Sequence, residues 1–186
     1  MNFTFRELPL KGAYCIDFFT AGDSRGELSK CFEKEIYRRN GISFEVSESF
    51  FTVSAKNVVR GLHFQKHAPQ SKLVSVVNGR TWDVIVDLRP GSETYKKWHA
   101  VELSKENHLA VYIPRGFAHG FASLEDDTVM LYHCEGAYDK ETDGGIRMDD
   151  PELGITWPVG TEDRIISPRD LQLEDLKTYE RSPMEL

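Results

Sequence analysis

Residues 58–79 concentrate basic side chains in a segment of strand-like sequence. The segment reads VVRGLHFQKHAPQSKLVSVVNG and contains Arg60, His63, His67 and Lys72. Its apolar residues predict a β-hairpin, and cations that face a protein core cost stability unless an anion meets them. A phosphate group would pair with the planar guanidinium of Arg60 and with the ammonium of Lys72. The segment therefore indicates a site that holds an anionic ligand.

His63 is the candidate proton-transfer residue of this site. An imidazole that acts as a base needs a partner that fixes its tautomer and supports its protonated form, and a carboxylate does this well. The spacing does not choose among three candidate partners, Asp83, Asp87 and Asp170. The alternative interpretation is a hydrogen-bonded histidine with only a structural role.

Two tyrosines in MLYHCEGAY (130–138) add a second proton-transfer candidate and a stacking surface. A tyrosine near a lysine can donate a proton to a developing enolate, which is the role open to Tyr132. Tyr138 could stack on a flat ring. Both are also ordinary residues for a half-buried strand.

A metal site is the other chemistry that histidines indicate. In PRGFAHGF (114–121), His119 stands where a metal-binding cupin barrel has its last histidine ligand. Gln65 and Lys72 stand where that barrel has a second histidine and a carboxylate, and a protonated lysine repels a cation. We therefore predict no metal, with a metal-dependent cupin oxygenase as an alternative.

The elements that must position these residues are predicted to be short strands. Apolar runs rich in Val, Ile, Phe and Tyr are separated by turn signals, including Asn78-Gly79, which predicts a hairpin. The predicted strands cover residues 72–77, 81–88, 98–103, 109–113, 121–124 and 129–134. This pattern predicts an all-β fold, an antiparallel sandwich or jelly-roll barrel. Short helices are predicted over residues 33–41 and 170–180.

Length and composition set the remaining expectations. The 186 residues predict a single domain, residues 1–186, with a short helical tail over about 171–186. The net charge of −7 argues against nucleic-acid binding. Three widely spaced cysteines predict buried free thiols in a reducing compartment. The absence of a signal-like start and of a 20-residue apolar run predicts a cytoplasmic protein without a membrane partner.

Several motifs, in order, resemble one enzyme family. They are RGLHFQ (60–65), KLV (72–74), VDLR (86–89), IPRGFAHGF (113–121), LY (131–132), DPELGITWP (150–158) and SPRD (167–170). Together they resemble the dTDP-4-dehydrorhamnose 3,5-epimerase family from about Leu8 to Leu171. The resemblance implies a jelly-roll barrel, a homodimer that exchanges strands, and epimerisation of a 4-keto nucleotide sugar without cofactor or metal.

The resemblance also implies a role for each candidate residue. His63 is expected to be the base, Asp170 its orienting carboxylate, Tyr132 the acid and Lys72 the stabiliser of the enolate oxygen. The residues expected to contact the nucleotide sugar are Arg25, which reaches across the dimer, Arg60, His119, Tyr138, which stacks on thymine, Asp143, Arg169 and Glu48.

The chain departs from the family pattern in the segments that line its nucleotide and sugar pocket. Leu28 and Lys30 replace a phenylalanine and a glutamate, and Glu48-Ser49-Phe50 replaces Gln-x-Asn. One reading is that the last three residues face solvent or core; another is that Lys30 and Glu48 pair and fill part of the pocket. The expected reaction type is unchanged, while the base, the sugar and the number of inverted carbons stay open. Inversion of a single carbon and a non-catalytic sugar-nucleotide-binding barrel are the alternatives.

Overall fold

The computed structural model describes residues 2–186, and antiparallel strands dominate it. The helices are short, α1 (Lys34–Arg39) and α2 (Leu176–Tyr179), and two 3-10 turns span Thr161–Asp163 and Asp170–Gln172. The strands are β1 (Thr4–Glu7), β2 (Tyr14–Asp17), β3 (Phe19–Asp23), β4 (Gly26–Lys30), β5 (Glu48–Ser54), β6 (Val59–Gln65), β7 (Ser71–Asn78), β8 (Arg80–Asp87), β9 (Trp98–Ser104), β10 (Leu109–Ile113), β11 (Phe117–Ser123), β12 (Thr128–Glu135) and β13 (Asp143–Gly145). The predicted all-β class is confirmed.

Two sheets face each other and form the jelly roll. One has the order β1-β2-β10-β7-β12-β5, the other β13-β6-β11-β8-β9, and β3 and β4 form a separate hairpin. The main core between the sheets takes Val74 and Met130 from the first sheet and Ile85 and Phe121 from the second. Burial of such side chains is the main force that holds two sheets face to face.

The C-terminal segment from Ile146 onward packs on the outer face of the five-stranded sheet. Ile146, Trp157 and Tyr179 join the apolar residues that β6, β8 and β11 direct outward. This packing brings residue 170, far along the chain, next to the start of β6.

Two hairpin predictions are wrong. The segment 58–79 forms β6 and β7, which belong to different sheets, and the Asn78-Gly79 turn joins β7 to β8 in the opposite sheet. β7 is hydrogen-bonded to β10 and β12 instead, and β8 to β9 and β11. Each of these connections crosses from one sheet to the other, because β7 lies between β10 and β12 in one sheet while β6 and β8 belong to the opposite sheet.

The helix predictions are partly correct. The helix α1 lies inside the predicted range 33–41 and ends before Gly41, which has a φ of +82°. The helix predicted over 170–180 is interrupted, because Glu174 is extended and its carbonyl accepts a hydrogen bond from Arg147 N at 2.9 Å. The helix α2 begins only after Asp175, whose side chain caps Thr178 N at 2.8 Å.

The thiol prediction can also be compared with the structure. All three cysteines are free; Cys15 and Cys134 are buried, and Cys31 is partly buried. No helix within residues 2–186 has the length and apolar character needed to cross a bilayer.

β6 and β11 approach each other closely at two glycines. A Cβ atom on Gly61 would lie 2.6 Å from Gly120 Cα and 2.8 Å from the carbonyl oxygen of His119. Gly61 also has a φ of +115°, a conformation that residues with a side chain rarely adopt. The strand register shifts between His119 and Phe121 at this place, as in a β-bulge.

Replacing Gly61 by alanine is therefore expected to lower the free energy of unfolding. Steric overlap with the β11 backbone and the unfavourable φ should together cost about 2–4 kcal/mol. Urea unfolding at pH 7 measures the loss. The control is Gly144→Ala, because an added Cβ there meets no atom within 4 Å. Equal stability of the two variants would contradict the proposed steric role of Gly61.

Candidate active site

A cavity of about 280 Å³ opens between strands of the two sheets. Strands β5, β7 and β12 form one wall, and β6 and β11 form the opposite wall. The predicted site residues that line it are Glu48, Arg60, His63, Lys72, His119, Tyr132, Tyr138, Asp143 and Arg169. The residues singled out in the sequence thus converge on one place.

His63 is held by Asp170. His63 Nε2 lies 2.9 Å from Asp170 Oδ1, and the other carboxylate oxygen accepts a hydrogen bond from Gly61 N at 3.0 Å. Asp170 is buried, whereas 27% of the His63 side chain is exposed toward the cavity. Burial by itself would raise the pKa of Asp170, but the hydrogen bond and positive charge of His63 outweigh it and hold the pKa below its ordinary value. Such a carboxylate fixes the imidazole and supports its protonated form.

The other two candidate partners of His63 have different roles. Asp83 Oδ1 lies 2.6 Å from His119 Nε2, so a second histidine–carboxylate pair is buried beside the cavity. Asp87 accepts hydrogen bonds from Arg89, Ser92 and Thr94 in the loop after β8. Spacing alone could not separate these roles, because Asp170 and Asp83 meet their histidines only through the tertiary fold.

Tyr132 projects from the wall opposite His63. Its ring contacts two others: the Phe50 ring is stacked on it with centroids 4.7 Å apart, and the His119 ring forms a T-shaped contact with it at 5.9 Å. Burial raises the pKa of the Tyr132 phenol above its ordinary value, and the negative charge of Asp83 adds to this effect. The phenol is therefore protonated at neutral pH and can act as an acid.

Lys72 supplies a cation inside the cavity. Removal of its ammonium from water lowers its pKa, while the negative charges of Asp143, Glu48 and Asp83 act in the opposite direction. A partly desolvated ammonium interacts strongly with an oxygen on which negative charge develops.

The mouth of the cavity carries a hydrogen-bonded group of polar residues. Asp143 Oδ2 accepts a hydrogen bond from Tyr138 Oη at 3.0 Å and from Arg169 Nη2 at 2.9 Å. The Tyr138 side chain is half exposed. Its ring is thus available to a ligand that enters the mouth.

Glu48 faces the cavity, which answers one question that the sequence left open. Its carboxylate accepts a hydrogen bond from Gln70 Nε2 at 2.8 Å. Lys30 forms an ion pair with Glu33. The pairing of Lys30 with Glu48 stays a prediction.

Arg25 does not line the cavity of its own chain. It lies at the tip of the β3–β4 hairpin, forms an ion pair with Asp23, and its side chain is 88% exposed. The structure of one chain therefore does not bring Arg25 together with the other predicted site residues.

The sequence interpretation missed several cavity residues. They are Thr52, Phe64, Gln65, Gln70, Gly120 and Phe121, and Phe50 was noted only as a departure from the family pattern. Alternation along β5 could have identified Phe50 and Thr52, because Glu48, Phe50 and Thr52 share one face of the strand. Across residues 2–186, no three His, Cys, Asp or Glu side chains converge as metal ligands.

Comparisons with known proteins agree with this geometry. The family profile described as dTDP-4-dehydrorhamnose 3,5-epimerase matches residues 7–178. A dTDP-4-dehydrorhamnose 3,5-epimerase from Methanothermobacter thermautotrophicus is 42% identical over 177 residues, which are 95% of this chain and 96% of the relative.

The chain belongs to the dTDP-4-dehydrorhamnose 3,5-epimerase family.

Two solved structures show how far the similarity of this epimerase extends. A dTDP-6-deoxy-D-glucose-3,5-epimerase from Legionella pneumophila, in complex with dTDP-4-keto-L-rhamnose, is 36% identical, covers 100% of both chains and superposes with a TM-score of 0.93. A 3′-monoepimerase from Streptomyces bikiniensis, in complex with dTDP-quinovose, is 34% identical, covers 94% of this chain and 88% of its own, and has a TM-score of 0.86. The jelly-roll prediction is confirmed, and the protein is an isomerase acting on a nucleotide sugar.

The Asp170–His63 pair predicts how the stability of the epimerase depends on pH. The pKa of Asp170 is lower in the folded protein than its ordinary value of 3.8. Its stabilising contribution is therefore complete above that value and is lost as the pH falls through the lower folded pKa. Asp170→Asn is expected to lower the free energy of unfolding by about 1–3 kcal/mol at pH 7, and the difference from wild type should shrink at pH 3.

Urea unfolding of both proteins at pH 7 and pH 3 measures this difference. The control is Asp149→Asn, because the Asp149–Arg147 pair is half exposed and should contribute at most about 1 kcal/mol. A difference for Asp170→Asn that does not change with pH would contradict the charge-dependent role of Asp170.

Proposed function

We propose that the protein epimerises a 4-keto-6-deoxy sugar linked to dTDP, at C3, C5 or both, in deoxysugar biosynthesis. The observation that carries the proposal is the placement of His63 and Tyr132 on opposite walls of one cavity. Epimerisation removes a proton from one face of a carbon and returns a proton to the other face, so it needs a base and an acid on opposite sides. dTDP-4-dehydro-6-deoxyglucose, converted to dTDP-4-dehydrorhamnose, is the substrate that the family relationship favours.

The chemistry follows from the ketone at C4, which makes the C–H bonds at C3 and C5 acidic. His63 takes the proton, and the electron pair of the broken C–H bond moves to the ketone oxygen as an enolate. Lys72 stabilises that oxygen, and Tyr132 gives its proton to the opposite face of the carbon. The tyrosinate then recovers a proton from solvent, and the protonated His63 releases its proton to solvent. Since the ketone itself delocalises the charge, we propose that no cofactor or metal takes part.

The nucleotide end is proposed to lie at the cavity mouth. Tyr138 offers an exposed ring for stacking on the base, and Arg60 and Arg169 offer guanidinium groups for the diphosphate. His119 is proposed to contact the sugar, and Asp143 keeps Tyr138 and Arg169 in place. Glu48 lines the same region.

Inversion of a single carbon is a second candidate. The similarity to the 3′-monoepimerase supports it, and so does the cavity-facing position of Glu48 and Phe50, which replace the two amides of the family pattern. Family membership speaks against a non-catalytic barrel and against a metal-dependent oxygenase.

Solvent exchange tests the reaction directly. The protein is incubated with dTDP-4-keto-6-deoxyglucose in deuterium oxide, and deuterium is measured at C3 and C5. We expect exchange by the wild type, none by His63→Ala, and a loss of inversion of about 100-fold or more in Tyr132→Phe, with exchange less affected.

The contradicting results differ for each role. No exchange by wild type with dTDP, CDP, UDP or GDP 4-keto sugars would contradict the proposed function. Full inversion by Tyr132→Phe would contradict only the assignment of the acid. Doubly inverted product from the dTDP sugar would exclude the single-carbon candidate.

We also propose a homodimer with exchanged strands, in which Arg25 completes the partner's site. Its support is the exposed hairpin that carries Arg25 away from the cavity of its own chain. We propose that residues 1–186 form one domain and that it acts in the cytoplasm, where the free thiols stay reduced. With a net charge of −7, neither nucleic acid nor a membrane is a proposed partner.

Mixed dimers test the role of Arg25. Arg25→Ala and His63→Ala are each expected to be nearly inactive alone. Co-expressed, they should regain about a quarter of wild-type activity, because half the dimers are mixed and each has one intact site of two. Two His63→Ala chains that differ only in their tags are the control. No recovery in mixed dimers would contradict an Arg25 that acts across the interface.

A further inference from the structure

We propose that Phe50 is a positioning residue, which clamps the ring of Tyr132 so that its phenol can deliver a proton to the far face of the substrate. The inference rests on the proposed function. Phe50 and Tyr132 are direct cross-strand partners in β5 and β12. Their rings are stacked, with an interplanar angle of 12°.

The clamp has a second side. His119 meets the Tyr132 ring edge-on at an interplanar angle of 70°, and His119 is itself fixed by Asp83. The phenol ring therefore contacts both a stacked phenyl and an immobilised imidazole. Without Phe50, one face of the ring would adjoin open cavity and the ring could turn about its side-chain bonds.

The position of Phe50 also controls access of water to Tyr132. Phe50 is 44% exposed and lines the cavity, whereas Tyr132 is 7% exposed. Phe50 thus covers the acid from solvent. A covered, fixed donor protonates a carbon in one geometry, while a loose, wetted one does so less often.

A purely structural role is the alternative. Stacked cross-strand aromatic pairs stabilise a sheet wherever they occur. In that case, loss of the ring would change the stability of the protein and leave the proportion of proton exchange to inversion as it is in wild type.

The ratio of exchange to inversion separates the two roles. His63 can take a substrate proton, exchange it with deuterium oxide and return a deuteron to the same face without Tyr132. Inversion needs both residues. A loosened Tyr132 should therefore leave deuterium entry into recovered substrate unchanged and slow the formation of inverted product.

The experiment compares Phe50→Leu with Phe51→Leu on the dTDP 4-keto sugar in deuterium oxide. Phe51 is the next residue of β5 and its side chain is on the opposite face of the strand, 65% exposed. For Phe50→Leu we expect kcat for inversion to fall about tenfold, with exchange and KM within about twofold of wild type. Phe51→Leu should match wild type in all three, and Phe50→Tyr, which keeps the stacked ring, should restore inversion. Phe50→Met gives the same comparison if Phe50→Leu is unstable.

Each other outcome overturns the inference. Equal loss of exchange and inversion, or a change confined to KM, would make Phe50 a structural or substrate-contacting residue. If the wild type is active and Phe50→Leu has the same kinetics as Phe51→Leu, the proposed role of Phe50 is contradicted. The proposed function is then unaffected. If the wild type shows neither exchange nor inversion, both the role of Phe50 and the proposed function are contradicted.

Discussion

The close approach of β6 and β11 at Gly61 and Gly120 is the constraint on which the site depends. No Cβ fits between the two backbones, and the register there makes His63 and His119 neighbours across the strand pair. The same Gly61 presents its N–H to Asp170, whose other oxygen holds His63. One backbone contact therefore sets the positions of two imidazoles and one carboxylate, which no single side-chain interaction could do.

The two histidine–carboxylate pairs differ in their access to the cavity. His63 is partly exposed beside a buried Asp170, so its imidazole can meet a ligand while its partner stays out of water. The His119–Asp83 pair is almost completely buried, and its imidazole edge rests on Tyr132. We propose that the first pair moves a proton and that the second holds the acid and the sugar in place. This division follows from burial, since the residue types are the same.

The sequence allowed prediction of the fold class and of the residues that meet in the cavity, but not of all their partners. Strand-like runs and turn signals are local, so the all-β class could be inferred from them. Which sheet a strand joins depends on contacts between distant segments, and for that reason the hairpins at 58–79 and at Asn78-Gly79 were predicted wrongly. The choice of Asp170 over Asp83 came only from family resemblance, because the C-terminal segment must fold back over β6 before residue 170 reaches His63. The extended Glu174 that interrupts the predicted helix belongs to the same C-terminal segment that folds back over β6. The assignment of roles within the site remains a prediction.

The residues proposed for the reaction and those proposed for the choice of substrate lie on strands in different positions of the fold. The first group belongs to strands that have a hydrogen-bonded neighbour on each side; it consists of His63, Lys72, His119 and Tyr132. A shift of the backbone there would break the hydrogen bonds to both neighbouring strands. Glu48, Phe50 and Thr52 belong to β5, which in one chain pairs only with β12. Side chains on such an edge strand can be replaced with less disturbance to the rest of the sheet. A barrel of this kind can keep one proton-transfer geometry while substitutions on the edge strand change which substrate fits in the cavity. The departures of this chain from the family pattern at Glu48 and Phe50 are located on that edge strand.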